Sequence, residues 1–419
     1  MFLVKALRQA FAAVARRPMP DQSFLTQLLK CDPNSVSFTP AGQPEFTSPD
    51  TLSLLKTAAH HLCEQHHTVV FPTETVYGLG AVATNAEASA KIFSTKGRPP
   101  DNPLIVHVSS STMLESLLPP DYAFSKAYRA LMKHFWPGPL TLLFPRNPDV
   151  IPTIITAGQP SVAIRMPSHP VARALIAVAN APLAAPSANT SGKPSPTKAE
   201  HVLKDLNGKV PIIIDGGPCG VGLESTVVDG LHADGNIRIL RPGGITVEQI
   251  ESVLKEEFLE EESIPRVLVH RRDYQDEKME AAPTTPGMKY THYSPSVPVT
   301  LLATVSSSPA GQSSQSMSAY LSRLSFASAI PPRIGVLAPS DSQVWSLLDQ
   351  IKGAEWHRYL MGPVAEPSLS AQRLFDGLLS LEAEGVDFIL VEEIAETHEG
   401  LAVMNRVRKA AGSTEWLHY

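Results

Sequence analysis

Thr68-Val-Val-Phe-Pro-Thr-Glu-Thr-Val-Tyr-Gly-Leu-Gly80 decides how this 419-residue chain is read. Thr68-Val-Val-Phe71 is a short apolar run with β-branched residues, and Pro72 ends it, as expected of a buried strand. Thr73, Glu74 and Thr75 then leave the strand end just ahead of a glycine turn. Ligands of open α/β sheets bind at such strand ends. The competing reading is a capped turn, with Thr73 or Thr75 as the N-cap of the next element.

Outward from this segment, strand-like runs alternate with helical ones to about residue 250. Leu104–Val108, Leu140–Phe144, Val162–Arg165, Val210–Ile214 and Ile237–Leu240 read as strands. Ala86–Ser94, Ala123–His134, Pro170–Ala179 and Lys198–Leu206 read as helices, after a first helix over 50–66. The alternation predicts an α/β domain over 49–266. Residues 1–48 read as an extension whose second half, rich in Pro, Ser and Thr, is a loose arm. Residues 267–297 are charged and then turn-rich, which suits a linker. A second unit, 298–419, carries strands at Val299–Val305, Ile334–Ala338 and Val386–Val391, with a helix over 369–384. The Ser-rich stretch 306–318 inside it reads as a disordered insertion.

The length exceeds that of one usual core, in keeping with two domains. Hydrophobic residues make up 43% and charged residues 18%, and no apolar run reaches the length of a membrane span. The net charge of −6 argues against tight, non-specific nucleic-acid binding. Cys31, Cys63 and Cys219 lie far apart, so neither a disulfide framework nor a cysteine zinc site is expected, and a reducing compartment fits. The first twenty residues hold Lys5, Arg8, Arg16 and Arg17 and no acid, with apolar residues at helical spacing. That is the composition of a mitochondrial targeting helix or of an ordinary amphipathic extension; the lack of serine counts against targeting.

The familiar nucleotide and metal signatures are missing: no P-loop, no third glycine after Gly78-Leu-Gly80, no HExxH, no G-x-S-x-G. Other segments supply polar groups instead. Lys96-Gly-Arg-Pro-Pro-Asp-Asn-Pro-Leu104 places two cations around a glycine, and its prolines hold the following chain extended. Lys offers a point charge and Arg a rigid fork, a pairing suited to phosphate oxygens, although many such pairs are solvated basic loops. Ala184–Thr197 is a loop of small residues in which Ser187, Asn189, Ser191 and Ser195 are neutral donors. Asp215–Asp229 carries four glycines before Glu224-Ser225-Thr226, either an anion nest or a plain glycine turn. Arg165 and Arg241 each close an apolar strand. Added to Lys96 and Arg98, they point to one shared anionic ligand.

Six strings in order, FPTETVYGLG, KGRPPDNPLIVH, AIRMPSHP, APSANTSGKPSPTKAE, GLESTVVD and LRPGGIT, resemble the YrdC-type family of threonylcarbamoyl-AMP synthases over roughly 50–255. Pro286–Pro295 resembles the linker of its long members, and Ala402–Ala410 the end of their second domain. The resemblance implies a twisted, open mixed sheet with helices, followed by a smaller Rossmann-like parallel α/β domain. It implies L-threonine, bicarbonate and ATP as substrates, and threonylcarbamoyl-AMP and pyrophosphate as products. A separate tRNA threonylcarbamoyl transferase complex would then modify the adenosine beside the anticodon of ANN-reading tRNAs.

By the same resemblance Arg165 holds the threonine carboxylate, with Thr75, His107, Ala185 and Ser225 around the rest. Lys96, Arg98, Asn102, Ser161, Ser187, Asn189, Ser195 and Arg241 meet the nucleotide, and Tyr290 and Tyr293 of the linker close over it. Lys96 and Arg98 would stabilise charge rather than act as base or nucleophile. Magnesium would accompany the phosphates, with no protein ligand for it visible in the motifs. Two rivals differ in class. An adenylating enzyme using carbamoyl phosphate would carry zinc-finger modules, which three scattered cysteines do not support. An RNA-binding or translation-regulating module without ATP turnover is the second, and the net charge of −6 and the lack of aromatic-basic interleaving speak against it as the main role, leaving RNA as a weak partner at most. The expected location is cytoplasmic, with a mitochondrial pool if the extension targets.

Overall fold

The computed structural model describes residues 24–270, 272–276, 292–325 and 331–419. These form an eleven-stranded mixed sheet, a six-stranded parallel sheet and a two-stranded ribbon. Across the large sheet the strands run Gln27–Lys30, Ile212–Asp215, Val69–Phe71, Gly78–Val82, Leu183–Ala184, Ile105–His107, Ser161–Arg165, Leu140–Pro145, Thr226–Asp229, Ile237–Arg241 and Val267–Val269. Most are buried along their length because helices and loops cover both faces. The small sheet runs Gln315–Ser316, Ser413–His418, Val299–Ala303, Phe388–Glu392, Arg333–Ala338 and Glu355–Leu360, and every pair in it is parallel. The mixed sheet followed by a parallel α/β unit is the architecture expected from the sequence.

The differences lie where composition misleads. The stretch read as a loose arm supplies Gln27–Lys30, an edge strand parallel to Ile212–Asp215, and a ribbon of Val36–Phe38 with Pro44–Phe46. Cys31, Val36, Phe38 and Phe46 join an apolar cluster with Leu55 and Leu175, so a few apolar residues outweigh the Pro/Ser/Thr background. At the other end Val267–Val269 pairs in parallel with Ile237–Ile239, so the sheet extends past both limits of the 49–266 span. The Ser-rich stretch is ordered at both ends. The Glu393 carboxylate accepts from the Val305 and Ser306 amides at 2.9 Å each, and Gln315–Ser316 pairs with Leu417–His418.

Gly78-Leu-Gly80 is a strand rather than a turn. It runs antiparallel to Val69–Phe71, with Val69 opposite Gly80. The Phe71 ring lies over Gly80 so closely that a β-carbon there would sit 2.5 Å from Cε1. The glycines serve that packing. The turn itself is made by Pro72–Val76, where the Thr73 hydroxyl accepts from the Thr75 and Val76 amides at 3.2 Å. This is a hydroxyl-stabilised turn and not a helix cap.

The two units are packed tightly together. Val76 and Leu223 of the first share an apolar cluster with Tyr293, Phe375 and Leu378. Asp376 of helix Pro367–Ala383 pairs with Lys198 at 2.8 Å and His201 at 3.4 Å. Residues 292–294 lie along this seam. The His292 amide donates to Lys409 O at 3.3 Å and the Ser294 amide to Gly192 O at 2.9 Å.

Candidate active site

One pocket gathers most of the polar segments, lined among others by Thr75, Lys96, Arg98, His107, Arg165, Ala185, Ser187, Ser225, Arg241 and Tyr293. The fold explains their convergence. Helix Ala86–Lys96 starts on an Asn85 cap and ends where Gly97 takes a left-handed conformation (φ 61°). Lys96 therefore lies in the last turn, where exposed carbonyls favour a cation. Arg98 comes after the glycine and doubles back, donating to Asn102 O at 3.1 Å and Pro103 O at 2.8 Å. The prolines present those carbonyls, since the chain around them cannot coil. Ile105–His107 and Ser161–Arg165 are parallel neighbours, and His107 and Arg165 are paired at their carboxyl ends.

Lys96 and Arg98 are buried. Lys96 Nζ donates to the carbonyls of Ser187 and Asn189, and Arg98 donates to those of Asn102 and Pro103. Burial, and then the neighbouring Arg98, push the Lys96 ammonium well below its ordinary range. Burial, and then Arg241, lower Arg98 to about 9. Two buried basic side chains met by carbonyl dipoles rather than by carboxylates suit an anion, because an isolated buried charge is costly without a counter-ion.

Arg165 is the centre of a second group. Its Nη1 donates to Thr75 Oγ1 at 2.8 Å, its Nε to Gly138 O at 3.2 Å, and its Nη2 pairs with Glu74 at 2.5 Å. A guanidinium has five N–H donors, so these contacts leave two for a ligand carboxylate. Burial, reinforced by Arg165, depresses the beside-lying His107 to about 3 and keeps its ring neutral. Ser225 Oγ bridges Thr141 Oγ1 at 2.7 Å and Arg241 Nη2 at 3.1 Å. Gly243 allows this: a β-carbon there would lie 2.3 Å from Glu224 O. The loop after Arg241 thus lies backbone to backbone on Glu224–Thr226, with the Gly244 amide on Glu224 O at 3.1 Å.

Four of the nucleotide residues read from the sequence stand differently. Asn102 and Asn189 present carbonyls to Arg98 and Lys96, and the Asn189 amide nitrogen pins its own loop through Thr190 O and Lys193 O. Ser195 donates to Glu224 Oε1 at 2.7 Å. Ser161 stands at the opposite end of its strand from Arg165, ~13 Å away at strand rise. Tyr290 lies outside the described residues. Tyr293 is buried against Phe375, with ring centroids 5.2 Å apart. With His292 and Tyr293 packed in, the remaining cavity measures about 50 Å³, room for a few waters.

Sequence reading assigned no role to Glu74, Glu224, His292 or Arg406. Glu224 was visible in its motif, but its partners come from elsewhere. Burial alone would raise its pKa, yet Arg406 and Arg241 hold it down at about 2. Among the described residues no group of three His, Cys, Asp or Glu side chains could hold a metal ion, and no helix is long and apolar enough to cross a membrane.

Residues 61–243 match the family model described as "Telomere recombination" (Sua5, YciO, YrdC), and residues 245–412 match "Threonylcarbamoyl-AMP synthase, C-terminal domain". A threonylcarbamoyl-AMP synthase of Bacillus subtilis is 45% identical over 351 residues, 84% of this chain and 91% of the relative. One of Schizosaccharomyces pombe is 44% identical over 382 residues, 86% and 89%. The crystal structure of Pyrococcus abyssi Sua5 complexed with L-threonine superposes with a TM-score of 0.71 at 34% identity, covering 94% of this chain and 99% of that one. Both halves of the molecule are therefore shared features, and the chain belongs to the threonylcarbamoyl-AMP synthase family in its two-domain form.

Proposed function

We propose that the chain condenses L-threonine, bicarbonate and ATP into threonylcarbamoyl-AMP and pyrophosphate, as a nucleotidyltransferase. The observation that carries this reading is one pocket with two kinds of anion site. Lys96 and Arg98 are buried cations held by carbonyls, which suits a polyphosphate. Arg165, with Thr75, His107, Ala185 and Ser225 around it, suits an amino acid. Its free N–H groups take the carboxylate, and neutral His107 adds no charge against the amine. Arg241 and Ser187 complete the phosphate wall, and Tyr293 covers it. Asn102, Asn189 and Ser195 serve that wall through the groups they hold.

The amine of bound threonine attacks carbon dioxide derived from bicarbonate and loses a proton, giving an N-carboxylate. A carboxylate oxygen attacks the α-phosphate, and its bond to the bridging oxygen of pyrophosphate breaks. No protein nucleophile takes part; the Cys219 thiol is kept protonated by burial. The protein aligns the reactants and neutralises charge on the phosphates, and a single such contact is commonly worth ~10²–10³ in rate. Magnesium would enter with the triphosphate as part of the substrate. Glu224, the one carboxylate lining the pocket among the described residues, is committed to Ser195 and Arg406, so no step is assigned to a protein-held metal.

The product, a mixed carbamic–phosphoric anhydride, calls for an acceptor, and a tRNA threonylcarbamoyl transferase would take it. The chain would act in the cytoplasm. The test is pyrophosphate release with threonine and bicarbonate added singly and together. Release requires both; release from ATP alone at the same rate contradicts the proposal.

A further inference from the structure

Arg406 is fully buried although it is a charged residue on helix Glu399–Ala410, in the second unit. It reaches across the seam to the catalytic pocket. Its Nε and Nη2 both meet Glu224 Oε2 at 3.1 Å. Its Nη1 donates to Pro242 O, the carbonyl directly after Arg241, and to Ala402 O at 3.3 Å. Its guanidinium carbon stands 5.8 Å from the Tyr293 ring centroid. Glu224, Arg241 and Tyr293 all line the pocket. One side chain from the second unit therefore bonds to Glu224 and to the backbone beside Arg241, and faces the Tyr293 ring.

The charge arrangement gives this contact a purpose. Glu224 is a carboxylate in a site otherwise built for anions. Left unneutralised, it would repel a triphosphate and draw Arg241 away from Ser225, whose carbonyl now accepts from Arg241 Nε at 3.2 Å and Nη2 at 3.0 Å. Arg406 neutralises it from behind, on the oxygen that Ser195 does not use. The bond to Pro242 O fixes the backbone on which Arg241 stands.

We propose that Arg406 is a positioning residue for the nucleotide, through which the second unit completes the phosphate wall of the first. The inference rests on reading this pocket as the ATP site. It predicts an asymmetry: Arg406 holds Glu224 and the backbone beside Arg241 directly, and reaches the threonine group only through the Arg241–Ser225 hydrogen bonds, so ATP should respond to its loss more strongly than threonine.

The experiment uses the full chain with Arg406→Gln, Arg406→Lys and, as a control on the same helix, Arg408→Gln. Arg408 is half-exposed and pairs with Glu396 at 2.6 Å, outside the site. Steady-state pyrophosphate release gives KM for ATP and for threonine separately. Titration with a non-hydrolysable ATP analogue gives nucleotide affinity independently of turnover, and thermal unfolding reports the fold. R406Q should raise KM for ATP ~10-fold or more with threonine KM within ~2-fold, and R406K should recover part of the loss by restoring the charge without the fork. R408Q should match the wild type. A folded R406Q with unchanged ATP affinity overturns the inference, as does an equal rise for both substrates. If R406Q does not fold, R406K is decisive: unchanged ATP affinity, or its own failure to fold, makes Arg406 a residue of the fold only. A wild-type chain that shows no threonine-dependent release fails the functional reading instead, and the analogue titration still reads Arg406.

Discussion

Replacing Arg165 by lysine tests the amino-acid half of the pocket without emptying it. The guanidinium serves Thr75 Oγ1 at 2.8 Å, Gly138 O at 3.2 Å and Glu74 at 2.5 Å, and keeps two N–H donors for a substrate carboxylate. Lysine keeps the charge, so Glu74 stays paired and the loss of several kcal/mol caused by an unpaired buried charge is avoided. An ammonium cannot span the same three partners and also meet a carboxylate with two parallel bonds. One lost charge-assisted bond is worth ~1.5–3 kcal/mol, which is ~10- to 150-fold in threonine KM. A neighbouring Gly138 or Thr75 group left unpaired would cost a further ~1–3 kcal/mol of stability. Initial rates of pyrophosphate release against threonine, at saturating ATP and bicarbonate, give the first figure; a denaturant titration gives the second. An unchanged threonine KM, or a rise in ATP KM of the same size, refutes the assignment.

Lys96→Ala and Arg98→Ala should each lower the rate of pyrophosphate release by ~10²–10³ while the circular dichroism spectrum is kept, since both cations are held by carbonyls rather than by carboxylates. The share of stability carried by His107 and His292 should fall as pH drops below about 6.5 and level off near 3: both are held neutral down to about 3, the unfolded chain binds the extra protons in that window, and each histidine contributes a slope of ~1.4 kcal/mol per pH unit. His107→Gln should flatten that slope, which a pH series of chemical denaturations would show. Gly243→Ala should destabilise by ~1–3 kcal/mol and impair turnover, because its β-carbon would meet the Glu224–Thr226 backbone that carries Ser225.

Local chemistry was legible wherever one segment contains both the scaffold and the functional group. Helix 86–96, its glycine stop and the prolines after it place Lys96 and Arg98, and all of that is written in consecutive residues. Arg165 and Arg241 were recognisable as strand-end cations. The part that stayed hidden depends on partners distant in the chain. Glu224 reads as one acid in a glycine-rich loop until Arg406, 182 residues on, is folded against it. Thr73 and Thr75 are equivalent in sequence, and only the position of Arg165 separates the turn-former from the hydroxyl that meets the guanidinium. Gly80 gave a misleading signal because its reason is the Phe71 ring nine residues earlier on the antiparallel neighbour. Edge strands failed in the same way: Gln27–Lys30 and Val267–Val269 are too short and too polar at their flanks to stand out before a sheet is there to pair with them.

The central claim is that this pocket joins a threonine-derived carboxylate to the α-phosphate of ATP. Incubation of the full chain with ATP, bicarbonate and ¹³C-labelled threonine, with mass spectrometry of the nucleotide fraction, tests it directly. The account predicts an adenylate carrying the label, formed in step with pyrophosphate and absent when bicarbonate is removed. Pyrophosphate or ADP released without a labelled adenylate would contradict it.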